Sequence, residues 1–338
     1  MMTDLSTGAD RGRGPLARTR VLVTGGGGFL GRSICTALVR RGASVVTIRS
    51  RDVDLVEQQQ ARDMMADVAP QIVVHAAARV GGIGANIRNP GAFLYENAMM
   101  GLNVLEAARQ AGVARFVLVS TTCAYPDDAP MPLNEKDIWG GKPTPQTGPY
   151  GVAKRMLHEA CATYSQQYGI ETAVLIPTNL YGPGDNFNPA SSHVMPAMIH
   201  RYAEAARRDD PSVTNWGTGE ATREFLYVTD AGEAIARACE VDITPDPINI
   251  GTGVETSIRD LAALVKAAVG YTGHVVWDAT KPSGVNRRVL DITRSHEILG
   301  FHPTVDLATG VRRTVEWYLA QDPDVLARQA RADQATRT

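Results

Sequence analysis

A cluster of glycines directly after a short apolar run constrains the fold of this chain more than any other feature. Gly25, Gly28 and Gly31 follow the apolar residues 21–23 and open a segment with helical periodicity. Glycines at this spacing allow a tight turn, a close approach of a ligand to the main chain, and packing of the helix on its strand. The N-terminus of that helix also offers unpaired N–H groups and a positive dipole end to a pyrophosphate. The context of strand, loop and helix therefore predicts dinucleotide binding.

Short apolar runs and helical patterns alternate through the first half of the chain. Strands are predicted at residues 44–48, 72–75, 116–120 and 172–176, and helices at residues 32–41, 64–68, 97–110 and 150–168. This alternation indicates a parallel sheet with helices on both faces, and the uniformly apolar strands fit that environment. We therefore predict an α/β fold, a doubly wound parallel sheet of the Rossmann type with a smaller C-terminal substrate lobe.

The composition of the chain changes after Pro177, where proline, glycine and asparagine become frequent. This change separates a dinucleotide-binding domain over 21–178 from a mostly substrate-binding lobe over 179–325. The polar residues 1–20 are expected to form a disordered lead-in, and 326–338, rich in arginine, alanine, glutamine and threonine, a tail. Within the lobe, the chain is expected to return to the sheet near 224–251, at 224–228 and at 248–251.

Charge and cysteine usage exclude several classes of function. The 338 residues carry a formal net charge of -2, so no basic face points to a nucleic acid as partner. No apolar stretch reaches the roughly 18 residues of a membrane span. The four cysteines have neither CxxC nor Cys/His spacing, which argues against a metal site and a disulfide framework. A reducing, cytoplasmic location fits this cysteine usage best.

The residues after the second predicted strand bear on the choice of cofactor. An acidic residue there would accept hydrogen bonds from the free 2′-hydroxyl of NAD. This chain instead has Arg49-Ser50-Arg51. Guanidinium groups suit a 2′-phosphate, so NADP(H) is favoured and NAD is the alternative.

A tyrosine and a lysine share one face of the helix predicted at 150–168. Tyr150 and Lys154 are four residues apart, which makes them neighbours on the helix surface. A phenol with a pKa near ~10 is a poor acid-base catalyst at neutral pH, and a nearby ammonium group is expected to lower that pKa. A hydroxyl from Thr121 or Thr122, after the preceding strand, completes a group able to move a proton at a sugar oxygen.

These motifs resemble the extended short-chain dehydrogenase/reductases, and further segments narrow the resemblance to the GDP-L-fucose synthase branch. The segments are His75-Ala-Ala-Ala-Arg-Val-Gly-Gly-Ile, Thr121-Thr-Cys-Ala-Tyr-Pro, Pro177-Thr-Asn-Leu-Tyr-Gly-Pro, Ser192-His-Val-Met-Pro, Arg223-Glu-Phe, Lys281-Pro-Ser-Gly and Arg287-Arg-Val-Leu-Asp. The resemblance runs from about Val21 to about Leu319. It implies an enzyme that binds a GDP-linked sugar and performs NADPH-dependent 3,5-epimerisation and 4-reduction of a GDP-4-keto-6-deoxy-hexose.

The resemblance also implies roles for individual residues. Tyr150, Lys154 and Thr121 would serve the reduction, and Cys123 and His193 would exchange protons at carbons 3 and 5. Cofactor contacts are expected from Tyr150, Lys154, Gly25, Gly28, Phe29, Leu30, Gly31, Arg49, Ala76, Ala77, Pro177 and Asn179. Substrate contacts are expected from Val80, Gly81, Gly82, Asn179, His193, Arg201, Trp216, Arg223 and Lys281. A homodimer through the helices at 97–110 and 150–168 is expected from related enzymes.

Several alternatives stay open at this point. Residue type alone also fits a buried structural role for Cys123 and an ordinary loop role for His193. An enzyme like GDP-mannose 3,5-epimerase would keep NAD bound and perform no net reduction, although such relatives have an acidic second-strand end and a lysine at the position of His193. A nucleotide-sugar reductase or epimerase that acts at carbon 4 alone, or a non-catalytic dinucleotide-binding protein, would use the same fold.

Overall fold

A computed structural model describes residues 3–4, 14–189, 191–281 and 285–322. The strands are β1 Thr3–Asp4, β2 Arg20–Thr24, β3 Ser44–Thr47, β4 Ile72–His75, β5 Arg115–Val119, β6 Glu171–Pro177, β7 Asn179–Tyr181, β8 Ser212–Trp216, β9 Thr222–Tyr227, β10 Ile248–Ile250, β11 Glu255–Ser257, β12 His274–Asp278 and β13 Arg287–Arg288. The α-helices are α1 Phe29–Arg40, α2 Gln58–Val68, α3 Ile83–Arg88, α4 Pro90–Gln110, α5 Gly148–Tyr168, α6 Val194–Arg207, α7 Val228–Arg237, α8 Ile258–Val269, α9 Thr293–Leu299 and α10 Leu307–Leu319.

The chain divides into two compact units. The first comprises Met1–Thr178, Val228–Gly251 and Leu290–His302, and the second comprises Asn179–Tyr227, Thr252–Val289 and Pro303–Thr338. In the part of the chain that the structure describes, no helix combines the length and the apolar character needed to cross a membrane.

The first unit is built on a seven-stranded sheet in the order β1-β3-β2-β4-β5-β6-β10. All neighbouring strands are parallel except β1, which runs antiparallel to β3. Apolar residues of the sheet and of α2, α4 and α5 form a shared buried core on one face. Helices α1 and α7 pack together, and the Ser33 hydroxyl of α1 donates a hydrogen bond of 2.8 Å to the Val228 carbonyl of α7. The predicted doubly wound parallel sheet is thereby confirmed.

The order of strands around β2 fixes where a ligand can bind. The chain leaves β2 for β3 on one side and then continues to β4 on the other side. Such a reversal opens a crevice at the carboxyl ends of the strands, which is where doubly wound sheets bind ligands. Thr24 and His75, the last residues of β2 and β4, are paired in register at this point.

The second unit has its own sheets and its own core. Strands β11, β9, β13 and β7 form a four-stranded sheet around β9, and β8 pairs with β12 in a separate two-stranded sheet. The core lies between these strands and helices α6, α8 and α10, with Tyr202 and Tyr318 among its fully buried side chains.

Some details differ from the sequence-based expectations. The segment at 224–228 was expected in the central sheet, but Glu224–Tyr227 belongs to β9 of the second unit, and 248–250 alone joins the central sheet as β10. Two residues of the expected lead-in, Thr3 and Asp4, form β1, and Leu16 is buried. Helix α4 starts seven residues before the predicted Asn97, at Pro90, because proline lacks the N–H that the first helical position leaves unpaired. The expected tail at 326–338 lies outside the described residues.

Candidate functional site

The glycine loop forms an open cradle at the start of α1. Gly25 has a φ of 72°, in the left-handed region that glycine adopts without strain. A Cβ on Gly31 would lie 2.0 Å from the Gly25 carbonyl oxygen, so the close packing of this turn requires glycine. Helix α1 begins after Gly28 with no side-chain cap and no acidic residue in its first turn. Its first N–H groups therefore face the loop as free donors, which suits an anionic diphosphate.

The residues after β4 border the glycine loop. A Cβ on Gly25 would lie 2.8 Å from the amide nitrogen of Ala77, so the two loops approach closely. Ala76 and Ala77 are half-buried at this point. Further along, the Asn97 side chain of α4 accepts a hydrogen bond of 3.0 Å from the Arg79 N–H and donates one of 3.1 Å to the Arg79 carbonyl. The segment that carries Val80, Gly81 and Gly82 is thus tied to α4.

Three of the predicted catalytic side chains are neighbours at the carboxyl end of β5. Thr121 caps a short 3₁₀ turn, and its hydroxyl oxygen accepts a hydrogen bond of 3.2 Å from the Cys123 N–H. The Thr121 side chain also acts on the Tyr150 phenol, whose pKa it lowers. Cys123 packs with Tyr150 and Phe93 in a small apolar cluster, where the Phe93 ring meets the Tyr150 ring edge-on at 6.4 Å. Thr121 therefore holds the backbone of the turn whose thiol packs beside the Tyr150 phenol.

The protonation state of Tyr150 differs from the expectation. Burial raises the pKa of the Tyr150 phenol well above its usual range, the Cys123 charge raises it further, and the Thr121 hydrogen bond opposes both effects. The expected lowering by the Lys154 ammonium group is not found. Lys154 is buried to 2% exposure, and its Nζ donates a hydrogen bond of 2.8 Å to the Val119 carbonyl. A neutral phenol at this place is a proton donor rather than a base.

Lys154 lies among buried imidazoles. Burial lowers the pKa of Lys154 to about 8. The pKa values of His75 and His158 are each lowered to about 3. Burial is the main cause, and the positive charge of Lys154 contributes to both shifts. His75 shares a 2.9 Å hydrogen bond with the Thr24 hydroxyl, and His158 is hydrogen-bonded to the Ser120 hydroxyl after β5. Both imidazoles are therefore neutral at physiological pH. Their hydrogen bonds to Thr24 and Ser120 anchor the residues around Lys154 to the sheet.

The lowered pKa of His158 gives a prediction about acid stability. The unfolded chain binds a proton at this residue below a pKa of 6.5, whereas the folded chain resists protonation down to about 3. The stabilisation that neutral His158 provides is thus complete above pH 6.5 and is lost as the pH falls toward 3. His158→Gln keeps a hydrogen-bonding group for Ser120 but cannot be protonated. Urea unfolding of the variant should depend less steeply on pH between 6.5 and 4, by up to about 1 kcal/mol per pH unit; identical slopes would contradict this account.

In the second unit, His193 stands at the start of α6. Its backbone is extended, and its carbonyl accepts the first helical hydrogen bond, 3.0 Å from the Ala197 N–H. The preceding loop is fixed by the Asn186 side chain, which accepts from the Asn188 N–H and donates to the Ser191 hydroxyl, both at 3.0 Å. The His193 side chain is exposed, although the protein around it lowers the pKa of the imidazole by desolvation.

Three predicted substrate residues lie around the end of β8. Trp216, the last residue of β8, is 66% exposed and is paired in register with Asp278 at the end of β12. Lys281 follows three residues later and is exposed. From α6, the Arg201 guanidinium donates to the Thr214 carbonyl at 3.0 Å and to the Asn215 side chain at 2.8 Å. The neighbours Pro282–Gly284 of the quoted Lys281 motif lie outside the described residues.

Two arginines lie on neighbouring strands of the four-stranded sheet of the second unit. Arg223 of β9 is in register with Arg288 of β13. Burial is the main cause of the lowered pKa of Arg223, and the positive charge of Arg288 lowers it further. The sequence motifs include Arg288 only as part of the segment Arg287-Arg-Val-Leu-Asp, with no contact of its own, because the strand register that brings it beside Arg223 is not visible in the residue order. Asn179 donates a hydrogen bond of 2.9 Å to the Glu224 carbonyl. Its side-chain nitrogen therefore stabilises the contact between β7 and β9 within the second unit.

Comparison with known proteins agrees with this geometry. A model of the NAD dependent epimerase/dehydratase family matches residues 21–251. The chain belongs to this family. The chain is similar to the GDP-L-fucose synthase of Escherichia coli (strain K12), with 38% identity over 314 residues that cover 90% of this chain and 98% of the relative. The probable GDP-L-fucose synthase 1 of Oryza sativa subsp. japonica is 38% identical over 89% of this chain and 92% of its own length.

A solved structure of the same fold carries a cofactor. The GDP-L-fucose synthetase from Naegleria fowleri bound to NADP matches with a TM-score of 0.85 and 27% identity, over 92% of this chain and 96% of that one. The resemblance to the GDP-L-fucose synthase branch, stated from the motifs, is therefore confirmed for the chain as a whole.

Proposed function

We propose that this chain is an NADPH-dependent epimerase and reductase that converts GDP-4-keto-6-deoxy-mannose to GDP-L-fucose. Relatives named GDP-L-fucose synthase match it along nearly their whole length. The observation that carries the proposal is the packing of Cys123 against Tyr150, on a turn whose start is held by the hydrogen bond from the Cys123 N–H to the Thr121 hydroxyl. A base for carbon and an acid for oxygen thus lie beside one another, as a two-part reaction on one sugar requires.

In the epimerisation, Cys123 and His193 act as the proton-exchanging pair. The keto group at carbon 4 acidifies the protons at carbons 3 and 5, because the resulting carbanion is delocalised as an enolate. At each carbon, one residue removes the proton from one face and the other returns a proton to the opposite face, which inverts the centre. No net change in protons results. The exposure of His193 allows it to exchange its proton with solvent between the two inversions.

In the reduction, Tyr150 supplies the proton. NADPH, when bound, provides the hydride for carbon 4. The oxygen at carbon 4 gains negative charge as the carbonyl is reduced, and the neutral Tyr150 phenol donates its proton there. The Thr121 hydrogen bond stabilises the phenolate that remains. Lys154, held by the Val119 carbonyl, contributes positive charge near the site while the pH is below its pKa of about 8.

The cofactor fits the first unit at the carboxyl end of β2. The glycine cradle and the uncapped start of α1 receive the diphosphate, and Ala76, Ala77 and Pro177 border the same edge of the sheet. Arg49, exposed after β3, is proposed to contact the 2′-phosphate.

The role of Arg49 yields a test of cofactor choice. Arg49→Ala should weaken NADPH binding by about tenfold and change NADH binding by less than about twofold, because NADH has no 2′-phosphate. Fluorescence titration of both cofactors measures the two Kd values. Arg312→Met, which removes an exposed arginine of α10, is the control and should change neither. Equal loss of both affinities would show that Arg49 does not read the 2′-phosphate.

The second unit is proposed to hold the GDP group. A nucleoside diphosphate carries about two negative charges, and Arg223 and Arg288 place two guanidinium groups on neighbouring strands, a charge that suits an anion. Arg201 and Lys281 add further cationic groups near the exposed Trp216 ring, which can stack on the guanine base. Val80, Gly81 and Gly82 are proposed to contact the sugar, and Asn179 to contact both the cofactor and the substrate.

We also propose a homodimer and a reducing, cytoplasmic location. Helices α4 and α5 pack on each other and leave five large apolar or aromatic side chains exposed: Leu94, Tyr95, Val152, Met156 and Tyr168. A second copy of the chain would cover such a face. Light scattering coupled to gel filtration measures the mass of the particle, and a monomer would overturn the dimer. The four free cysteines are consistent with a reducing compartment.

Product analysis tests the proposed function. Incubation with GDP-4-keto-6-deoxy-mannose and NADPH should yield GDP-L-fucose, identified by NMR from the configuration at carbons 3, 4 and 5, with one NADPH oxidised for each product. A product reduced at carbon 4 without inversion would favour an enzyme that acts at that carbon alone. Inverted product without NADPH oxidation would favour the GDP-mannose 3,5-epimerase type.

A further inference from the structure

Arg155 is a buried cation without a partner of opposite charge among the described residues. Its side chain is 9% exposed, and it forms no salt bridge in the part of the chain that the structure covers. Its Nη2 is buried and has no hydrogen-bond partner there. Burial lowers the pKa of the guanidinium. A buried, unpaired charge costs several kcal/mol, so its presence calls for a physical reason.

The contacts that Arg155 does make are with two backbone carbonyls. The Nε donates a hydrogen bond to the Ala124 carbonyl, and the Nη1 donates one of 2.6 Å to the Gly141 carbonyl. These carbonyls belong to segments that are 17 residues apart in the chain, so a single planar guanidinium joins them. The exposed Trp139 ring lies 6.0 Å from the guanidinium carbon.

The Ala124 carbonyl belongs to the short turn that carries Cys123. The Thr121 hydroxyl holds the start of this turn by accepting from the Cys123 N–H. On the helix side, a Cβ on Gly151 would lie 2.1 Å from the Cys123 carbonyl oxygen, so α5 and the turn are in tight contact. Arg155, one helical turn after Gly151, holds the end of the turn. The backbone of Cys123 is thus fixed on both sides of the thiol.

We propose that Arg155 is a positioning residue for Cys123. By joining Ala124 to Gly141, its guanidinium holds the turn at the height on α5 where the thiol lies beside Tyr150. The guanidinium touches neither the reacting atoms nor the thiol in this scheme, and it acts through the main chain. The inference rests on the proposed function, in which Cys123 exchanges protons at the sugar carbons.

Two readouts test the position of the thiol. The first is the rate of deuterium exchange at carbons 3 and 5 of GDP-4-keto-6-deoxy-mannose. The second, independent of activity, is the rate at which iodoacetamide alkylates Cys123. Alkylation is selective, because Cys123 is half-buried while Cys35, Cys161 and Cys239 are buried, and burial raises the pKa of each of those three thiols to about 12.

Arg155→Met should slow the exchange by about tenfold or more and change the alkylation rate by about threefold or more, with NADPH affinity within about twofold. A lysine at position 155 can reach one of the two carbonyls but not both, so Arg155→Lys should slow the exchange by at least about threefold. If Arg155→Met does not fold, Arg155→Lys is the variant that tests the positioning role. Arg312→Met is the control and should leave both rates unchanged.

An exchange rate within threefold of wild type in the folded variant would overturn the inference. Slow exchange with an unchanged alkylation rate would also overturn it, since Arg155 would then act elsewhere than on the thiol. Cys123→Ser, measured in parallel, separates this inference from the proposed function. If Cys123→Ser retains exchange, the proposed function fails, and the alkylation rate alone decides whether Arg155 holds the turn.

Discussion

Tyr150→Phe is expected to lower kcat for NADPH oxidation by roughly 10²–10⁴-fold, because it removes the proton donor for the oxygen at carbon 4. The ring stays in place, since the apolar cluster with Phe93 and Cys123 does not involve the phenol oxygen. Deuterium exchange at carbons 3 and 5 should persist, because the epimerisation uses Cys123 and His193. The variant should therefore accumulate exchanged but unreduced substrate.

A matched change on the same helix provides the control for Tyr150. Tyr168→Phe removes a phenol at the end of α5, where the side chain is 46% exposed, and should leave kcat unchanged within about twofold. Absorbance of NADPH follows the reduction, and NMR follows the exchange. Loss of exchange together with reduction in Tyr150→Phe would show that the phenol also serves the inversions, and unchanged kcat would remove it from the mechanism.

Cys123→Ser is expected to slow deuterium exchange at carbons 3 and 5 by roughly 10²-fold or more, because the thiolate is the base and a serine hydroxyl is ionised far less than a thiol at neutral pH. The substitution preserves the shape of the side chain, so the Thr121 hydrogen bond to the N–H of residue 123 should remain. NADPH binding should stay within about twofold, since the glycine cradle lies on a different loop. NMR in deuterated water and fluorescence titration measure the two quantities.

Cys239→Ser is the matched control for the thiol. Cys239 is buried after α7, and its sulfur donates to the Ile235 carbonyl at 3.7 Å, a contact that a serine hydroxyl can replace. Exchange should be unchanged in this variant. Exchange at the wild-type rate in Cys123→Ser would withdraw the thiol from the epimerisation.

Local sequence signals predicted the parts of the fold that depend on neighbouring residues. The glycine loop was predictable because tight turning and helix packing leave no room for a Cβ at Gly31. The end of α5 was predictable because Gly169 adopts the left-handed conformation that ends a helix. The face shared by Tyr150 and Lys154 followed from helical spacing. Each of these features is decided within a few residues of the chain.

Features that depend on distant residues were not predictable in this way. The location of β9 in the second unit depends on its partners β7, β11 and β13, and short apolar runs do not reveal which sheet they join. The raised pKa of Tyr150 depends on how deeply the fold buries the phenol, which the order of residues does not show. The contacts of Arg155 with Ala124 and Gly141 arise from a loop that the sequence does not place on α5.

The most direct measurement of the central idea is a single reaction in deuterated water. The wild-type protein is incubated with GDP-4-keto-6-deoxy-mannose and NADPH, and product and cofactor are quantified together. A thiol and an imidazole that work on one sugar beside Tyr150 should give deuterium at both carbon 3 and carbon 5, with one NADPH oxidised for each product. Reduction without deuterium at either carbon, or deuterium at both carbons without NADPH oxidation, would contradict the proposal that one site performs both inversions and the reduction.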